Sequence, residues 1–139
     1  MAKHIAEKFI GALIELESDH NVELIVALFA DDCEVGNVIV SEKFRGIEGA
    51  RLFWTNYRAT FKDVCSIFQK EIYSGNDAAL EWTTEGKSKN GRKIKYEGVG
   101  ILETKDEKIT RFCAYFDPKT LGRQITKQNG GNGTPDRIF

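Results

Sequence analysis

Two carboxylates lie in segments that suit either a structural role or proton chemistry. Asp117 is in "AYFDPKTLGRQI", residues 114–125, where an apolar, strand-like run passes through Asp-Pro into a helical pattern. Asp at the N-cap followed by Pro is a common helix start, because the carboxylate accepts backbone N–H groups. Carboxylates also act as general acids and bases when their surroundings tune them. The two roles are compatible, and the sequence leaves both open for Asp117.

Glu97 is the second carboxylate, and its role depends on the direction in which its strand faces. In "KYEGVGILE", strand alternation would place Glu97, Val99 and Ile101 on one face. Inside an apolar interior, desolvation would favour the protonated carboxyl and suit Glu97 to proton transfer. On a solvated face, Glu97 would instead pair with Lys95 or Arg111 across strands.

Aromatic residues supply the candidate pocket lining. At helical or alternating spacing such residues usually form plain core, but a fold that leaves part of its core empty lets them contact a ligand. The candidates are Trp54, Tyr57, Trp82, Phe112 and Phe116. We therefore expect a hydrophobic small molecule as the partner of such a pocket.

Metal and nucleotide sites have no support in the residue spacing. The two histidines, His4 and His20, are isolated, and neither an H-x-x-x-H nor a C-x-x-C pattern occurs. Gly98-x-Gly100 lies inside a strand pattern and lacks the turn before a helix that a nucleotide phosphate site uses. We predict no bound metal and no cofactor.

Charge and cysteine content narrow the class of partner and the compartment. Twenty Lys and Arg against 21 Asp and Glu leave a net charge of −1, which disfavours nucleic acid and anionic membranes as partners. Three separated cysteines fit a reducing compartment better than a disulfide framework. The N-terminal "MAKHIAEKFIGALIELES" shows neither a signal-peptide core nor a membrane span. These features predict a cytoplasmic chain.

Hydrophobic periodicity predicts helices first and strands afterwards. Apolar residues recur at helical spacing in residues 5–16, 22–29 and 50–61. Between residues 64 and 116, aromatic and β-branched segments alternate with turn signals such as "KNGR". This order predicts an α+β domain, residues 1–126, with an antiparallel meander and a shorter edge strand near residues 33–40. The glycine-rich "KQNGGNGTPDRIF", residues 127–139, is predicted to be a flexible tail.

The collinear order of several segments resembles a known superfamily. The segments are "ALFADD", "FRGIEGARLFW", "GNDAALEW", "KYEGVGILE" and "ITRFCAYFD". Over roughly residues 5–125 they resemble the nuclear transport factor two-like superfamily, and within it the SnoaL-like polyketide cyclases and the ketosteroid isomerases. The resemblance implies a cystatin-like roll, in which a curved antiparallel sheet wrapped by about three helices forms a cone around an apolar pocket. It also implies a homodimer through the outer sheet face, where we expect Tyr96, Leu102, Cys113 and Tyr115.

The resemblance to ketosteroid isomerases implies a pocket without the isomerase machinery. The position of the base carboxylate corresponds to Asn37, and the two oxyanion-binding positions correspond to Phe9 and Val99. The ketosteroid isomerase reaction itself is therefore not expected. The same alignment places the Val99 face inward, which would also turn Glu97 into the pocket.

The resemblance to SnoaL-like cyclases implies a role for the end of the last strand. There an aspartate is the acid/base group, and it corresponds to Asp117, followed by Leu121 and Gln124. The implied function is a cofactor-independent isomerase, cyclase or dehydratase that acts on a hydrophobic carbonyl compound, with Asp117 or Glu97 as acid/base. The alternative is a non-catalytic ligand-binding or dimeric association module of the same fold.

Overall fold

The computed structural model describes residues 2–126 and shows an α+β fold, as predicted. The helices are α1 (Ala2–Asp19), α2 (Glu23–Val26), α3 (Gly46–Ala59) and α4 (Pro118–Thr126). The strands are β1 (Phe29–Asn37), β2 (Phe44–Arg45), β3 (Phe61–Ser74), β4 (Asp77–Ser88), β5 (Lys93–Lys105) and β6 (Lys108–Phe116). Three helices thus precede the long strands. The predicted tail, residues 127–139, lies outside the described residues, so the domain boundary stays a prediction.

The strands form one open curved sheet in the order β2-β1-β6-β5-β4-β3. Strands β3 to β6 are the predicted antiparallel meander. The prediction of a wholly antiparallel sheet is wrong at β1, which pairs parallel with β6, so the sheet is mixed. Helix α3 and the long meander separate these two strands in sequence, which makes a parallel return possible. The chain therefore brings β1 beside the last strand and not beside β3.

Helices α1 and α3 pack on one face of the sheet, which we call the inner face. The buried residues of α1 repeat at helical spacing and include Ile5, Phe9 and Leu13. On α3, Phe53 and Trp54 are buried against the same core. Burial of these apolar stripes supplies the main stabilisation of both helices, since isolated helices of this length are marginal in water.

The second helix is shorter than predicted. It covers only Glu23–Val26, and Phe29, which fits the helical spacing in the sequence, begins β1. Because Phe29 is fully buried and pairs with Ile109 of β6, sheet pairing overrides the local helical pattern. None of the helices in residues 2–126 is long and apolar enough to span a membrane.

The last helix covers an open edge of β5. Gln124 donates through Nε2 to the carbonyl of Lys95 at 2.7 Å and accepts from the Lys95 N–H. Its own carbonyl accepts from Arg92 Nε at 2.9 Å. Leu121 of the same helix is fully buried in the core. Helix α4 therefore takes the place of a neighbouring strand where β6 has ended.

The side chains of β5 face the opposite sides of the sheet from those that the sequence predicted. Tyr96 and Leu102 are buried on the inner face, whereas Glu97 and Val99 lie on the outer face. The predicted inward direction of Val99 and Glu97 is therefore wrong, as is the predicted outward direction of Tyr96 and Leu102. A slip of one residue reverses every side chain of a strand, because strand alternation has a period of two. Of the four residues expected outside, Tyr115 is exposed, while Cys113 shares its side of β6 but is buried.

Candidate functional site

A cavity of about 40 Å³ lies between α1, α3 and the inner face of the sheet. This volume accommodates about three or four water-sized groups. Six residues predicted to bind substrate line it: Phe9, Trp54, Tyr57, Trp82, Phe112 and Phe116. The wall also contains Leu13, Phe53, Ser66, Phe68, Leu80, Thr84, Tyr96, Gly100 and Ala114. Asn37 and Val99, the other two candidates, are not among the lining residues.

Glycines on β5 make room for the aromatic wall. A Cβ at Gly98 would lie 2.3 Å from the carbonyl oxygen of Tyr115 and 2.8 Å from the ring of Trp82. A Cβ at Gly100 would lie 3.0 Å from the ring of Phe112. Contacts below 3.0 Å are not tolerated without a shift of the neighbours. Two inner positions of β5, Gly98 and Gly100, therefore lack side chains so that Trp82 and Phe112 can lie over the strand.

Trp54 is the centre of the aromatic wall. Its ring centroid lies 5.1 Å from that of Phe112, 5.7 Å from that of Phe9 and 5.8 Å from that of Tyr57. These separations fall in the range in which edge-to-face and tilted pairs attract. The indole Nε1 of Trp54 is buried without a hydrogen-bond acceptor in residues 2–126. Trp54 therefore contributes both a packed ring and an unsatisfied donor.

One end of the cavity is polar and leads to a buried carboxylate. Glu17 of α1 is only 5% exposed. Its Oε2 accepts from Ser66 Oγ at 2.6 Å and from Tyr57 Oη at 2.7 Å, and its Oε1 accepts from the Ser66 N–H at 2.8 Å. Thr84 Oγ1 lies 2.7 Å from Ser66 Oγ. We call Glu17, Tyr57, Ser66 and Thr84 the Glu17 cluster.

The phenols beside this carboxylate are held in their protonated form. Burial raises the pKa of Tyr57 well above its ordinary value, and the nearby Tyr96 and Glu17 raise it further. Burial, followed by the charge of Glu17, also raises the pKa of Tyr96. Both tyrosines are therefore neutral at physiological pH and available as hydrogen-bonding groups.

A buried arginine anchors Glu17 through the backbone. Arg58 Nε donates to the main-chain carbonyl of Glu17 at 3.0 Å, and its NH1 group donates to the carbonyl of Phe61 at 3.0 Å. These bonds join the end of α1 to the end of α3. They leave the Glu17 carboxylate itself to the two hydroxyl groups and one N–H group of the cluster.

Asp117 is a helix cap at the surface. Its Oδ1 accepts from the N–H of Lys119 at 3.0 Å, and its Oδ2 accepts from Thr120 Oγ1 at 2.8 Å. The bond from Thr120, followed by the bond from Lys119, lowers the pKa of the Asp117 carboxyl. The capping interpretation is thus seen directly, and a carboxyl with a lowered pKa is a poor proton donor at neutral pH. A catalytic role for Asp117 stays a prediction.

Glu97 is exposed on the outer face and does not reach the cavity. It lines a surface depression together with Asp117, Thr83, Lys95, Tyr96 and Thr120. The structure therefore brings the two predicted carboxylates to one depression at the end of the sheet, and places both outside the aromatic cavity. The catalytic role of Glu97 stays a prediction.

Asn37 occupies a buried position at the end of β1. Its Oδ1 accepts from the N–H of Ile39 at 2.8 Å and from that of Val40 at 3.2 Å. Its Nδ2 is buried without an acceptor among residues 2–126. Asn37 therefore orders the turn after β1 and holds one unsatisfied donor. No group of three or more His, Cys, Asp or Glu residues in that part of the chain is arranged to hold a metal ion.

Comparison with known proteins identifies the family. The family model of the SnoaL-like domain matches residues 10–112, which is most of the chain. The protein belongs to the SnoaL-like family. No curated protein matches its sequence significantly.

Solved structures share the fold of this SnoaL-like protein at low sequence identity. A hypothetical protein with a ketosteroid isomerase-like fold from Catenulispora acidiphila DSM 44928, in complex with trimethylamine, has 19% identity and a TM-score of 0.76, covering 92% of this chain and 98% of its own. A putative SnoaL-like polyketide cyclase from Jannaschia sp. CCS1 has 11% identity and a TM-score of 0.74, covering 86% and 92%. An epoxide hydrolase of M. tuberculosis similar to LEH has 17% identity and a TM-score of 0.70, covering 89% and 91%. At these identities the likeness establishes the fold.

Of the Glu17 cluster of this SnoaL-like protein, sequence reasoning named only Tyr57 and missed Glu17, Ser66 and Thr84, although the sequence contains a signal for them. Glu17 follows Phe9 and Leu13 at intervals of four residues, so a carboxylate lies on the apolar stripe of α1. Ser66 and Thr84 likewise occupy inward positions of β3 and β4. A charged or polar residue at a position whose spacing predicts burial is the pattern that would have identified the cluster.

Proposed function

We propose that this SnoaL-like protein binds a compact, largely apolar small molecule in the cavity between α1, α3 and the sheet. The observation that carries the proposal is the convergence of aromatic residues from α1, α3, β4 and β6 on one space. The glycines of β5 keep that space open on the sheet side. Apolar walls with a few convergent polar groups are typical of small-molecule sites.

The size of the cavity supports a small ligand. A volume of about 40 Å³ corresponds to roughly three or four non-hydrogen atoms without movement of the wall. The structural neighbour from C. acidiphila is a complex with trimethylamine, which has four non-hydrogen atoms. A polyketide or steroid would require the helices to move away from the sheet.

Tryptophan fluorescence tests this proposal directly, since the sequence has two tryptophans and both line the cavity. Compact neutral molecules such as acetone and tert-butanol should change the emission and raise the melting temperature. Ala114→Leu, which fills the cavity wall, should abolish both effects. Ala59→Leu, on the exposed end of α3, is the matched control and should leave them unchanged. A panel in which no compound changes either signal of the folded protein would contradict the proposal.

Acid/base chemistry on a hydrophobic carbonyl compound is the second candidate function. The unsatisfied Nε1 of Trp54 favours it, because a ligand carbonyl oxygen would accept that hydrogen bond. Asp117 and Glu97, the predicted acid/base residues, would have to act from the depression outside the cavity. Asp117→Asn or Glu97→Gln should then abolish turnover of a carbonyl substrate while the circular dichroism spectrum is unchanged. Full turnover by either folded variant removes that residue from the mechanism.

Association into a homodimer is supported by the outer sheet face. Ile67 and Ile72 of β3 are 63% and 54% exposed, and Tyr115 of β6 is also exposed on this face. We propose that a second copy of the chain covers them, because large exposed apolar side chains on one face of a sheet favour association. Ile72→Lys should shift the sedimentation coefficient towards the monomer. Ile14→Lys, at an exposed isoleucine of α1, should not, and a wild-type monomer at micromolar concentration would contradict the proposal.

A further inference from the structure

The Glu17 carboxyl group is buried and forms no ion pair with a cationic side chain in residues 2–126. Buried charges in proteins are normally paired with an opposite charge or held by several hydrogen bonds. The buried Arg58 directs its guanidinium to two main-chain carbonyls and forms no ion pair with the carboxylate. Three hydrogen bonds from Tyr57 and Ser66 therefore stabilise the carboxylate without neutralising it.

The hydroxyl groups of the cluster donate their protons to one another and to Glu17. A hydroxyl has one proton to donate. Ser66 donates its proton to Glu17, so the 2.7 Å contact between Ser66 and Thr84 requires Thr84 to donate to Ser66. Ser66 and Thr84 both line the cavity, and their oxygens have only acceptor capacity left. This end of the cavity therefore suits a ligand that donates a hydrogen bond.

The remaining wall suits positive charge enclosed by methyl groups. Trp54 and Trp82 line the cavity, and a cation near the face of an aromatic ring is attracted by its negative potential, most strongly by tryptophan. The tyrosines beside Glu17 are neutral phenols, so the acidic group at this end of the cavity is the carboxyl of Glu17. An inorganic cation would gain little from an apolar wall, whereas an alkylammonium group would contact rings and acceptors together.

We propose that the cavity binds a compact alkylammonium ion, with its N–H group directed to Ser66 and Thr84 and its charge balanced by Glu17. This inference rests on the proposed function of the same cavity and names the ligand class. The aromatic rings hold the alkyl groups, and the buried carboxylate supplies the preference for a cation over a neutral molecule of equal size. Low local polarity strengthens that preference, because little solvent screens the two charges.

Matched probes test the inference. The full chain would be titrated at pH 7 with trimethylammonium chloride, with tert-butanol as a neutral molecule of similar size, and with potassium chloride at equal ionic strength. Amide chemical shifts and tryptophan fluorescence report occupancy of the cavity. We expect trimethylammonium to bind at least tenfold more tightly than tert-butanol and potassium to produce no change at the cavity.

Matched variants assign the preference to Glu17. Glu17→Gln keeps the shape and removes the charge, and it should weaken trimethylammonium binding at least tenfold with little effect on tert-butanol. Glu81→Gln removes the same charge from an exposed position of β4 on the outer face and should change neither affinity by more than twofold. Should Glu17→Gln fail to fold by circular dichroism, Trp82→Leu provides the second test, since loss of the ring should weaken trimethylammonium binding more than tert-butanol binding.

The outcomes separate this inference from the proposed function. Equal affinities for trimethylammonium and tert-butanol, or an unchanged cation preference in folded Glu17→Gln, would overturn the ammonium site and leave a neutral-ligand cavity. Preferential binding of potassium would also overturn it. Binding of none of the probes would count against both the ammonium site and the cavity as a ligand site.

Discussion

The molecule holds carboxylates in two contrasting regions, the Glu17 cluster at the cavity and the surface depression with Glu97 and Asp117. Glu17 is buried and accepts three hydrogen bonds from residues of α3 and β3. Asp117 is exposed and accepts bonds from the first turn of its own helix. The first set of contacts joins distant parts of the chain, and the second is local.

This contrast shows that residue type and local pattern are weak guides to which carboxylate has an unusual environment. Glu97 and Asp117 lie in segments that resemble functional ones, yet water reaches both. Glu17 lies in an ordinary amphipathic helix, yet it is the carboxylate that the fold removes from water. Burial, which changes electrostatic interactions most, is a property of the packed structure.

The largest expected difference between the regions is in stability. Glu17→Ala removes the acceptor for three donors, and we expect the free energy of unfolding to fall by about 3 kcal/mol because the Ser66 and Tyr57 groups lose their partner. Glu97→Ala, at an exposed position, should change it by no more than about 0.5 kcal/mol. Urea unfolding of both variants measures the difference. Equal losses of unfolding free energy would show that the buried and the exposed carboxylate contribute alike to stability.

A somewhat smaller loss of stability is expected when a side chain fills the space behind the aromatic wall. Gly98→Ala places a Cβ against the Tyr115 carbonyl and the Trp82 ring, which should destabilise the protein by about 2 kcal/mol. Gly11→Ala, on α1, meets nothing within 4 Å and should stabilise it by up to about 1 kcal/mol through helix propensity. Thermal unfolding of the pair compares an inner position with a surface one. A Gly98→Ala variant that is as stable as the wild type would show that the wall is loosely packed.

Tyr57→Phe tests a single donor of the Glu17 cluster. Loss of its hydrogen bond to Glu17 should lower the free energy of unfolding by about 1 kcal/mol at pH 7. Because the folded pKa of Tyr57 is raised above its ordinary value of 10.0, its contribution is complete below that pH and is lost as the pH rises above it. The variant should therefore show a shallower loss of stability between pH 10 and pH 11. If the free energy of unfolding of the variant fell between pH 10 and pH 11 as steeply as that of the wild type, Tyr57 would not be the group responsible for the loss.

Substitution of Asp117 should have the smallest effect on stability, and only at acidic pH. Its folded pKa is lowered below the ordinary value of 3.8, so its stabilising contribution is present above that pH and is lost as the pH falls below it. Asp117→Asn keeps a capping side chain but cannot ionise. The variant should match the wild type near neutral pH and depend less on pH below 4. Urea unfolding at pH 3 and pH 6 measures this dependence. If the wild type and the variant lost the same free energy of unfolding between pH 6 and pH 3, the stabilising role of the ionised Asp117 would be contradicted.

Much of the fold was predictable because its signals are local. The helical spacing of α1 and α3, the alternation from β3 to β6 and the Asp-Pro start of α4 all appear in the structure. The helical spacing also predicted the buried face of α3, which includes Trp54 and Tyr57. Each of these features depends on residues within a few positions of one another.

The sequence by itself determined the order of elements, the apolar stripes and the cap at Asp117, because hydrophobic periodicity and capping act over one or two turns of chain. Only the tertiary structure decided that β1 pairs parallel with β6 and that Tyr96, not Glu97, faces inward. It also joined Glu17 to Ser66, 49 residues away. Strand register and burial depend on contacts between distant segments, and a shift of one residue in pairing reverses a whole strand.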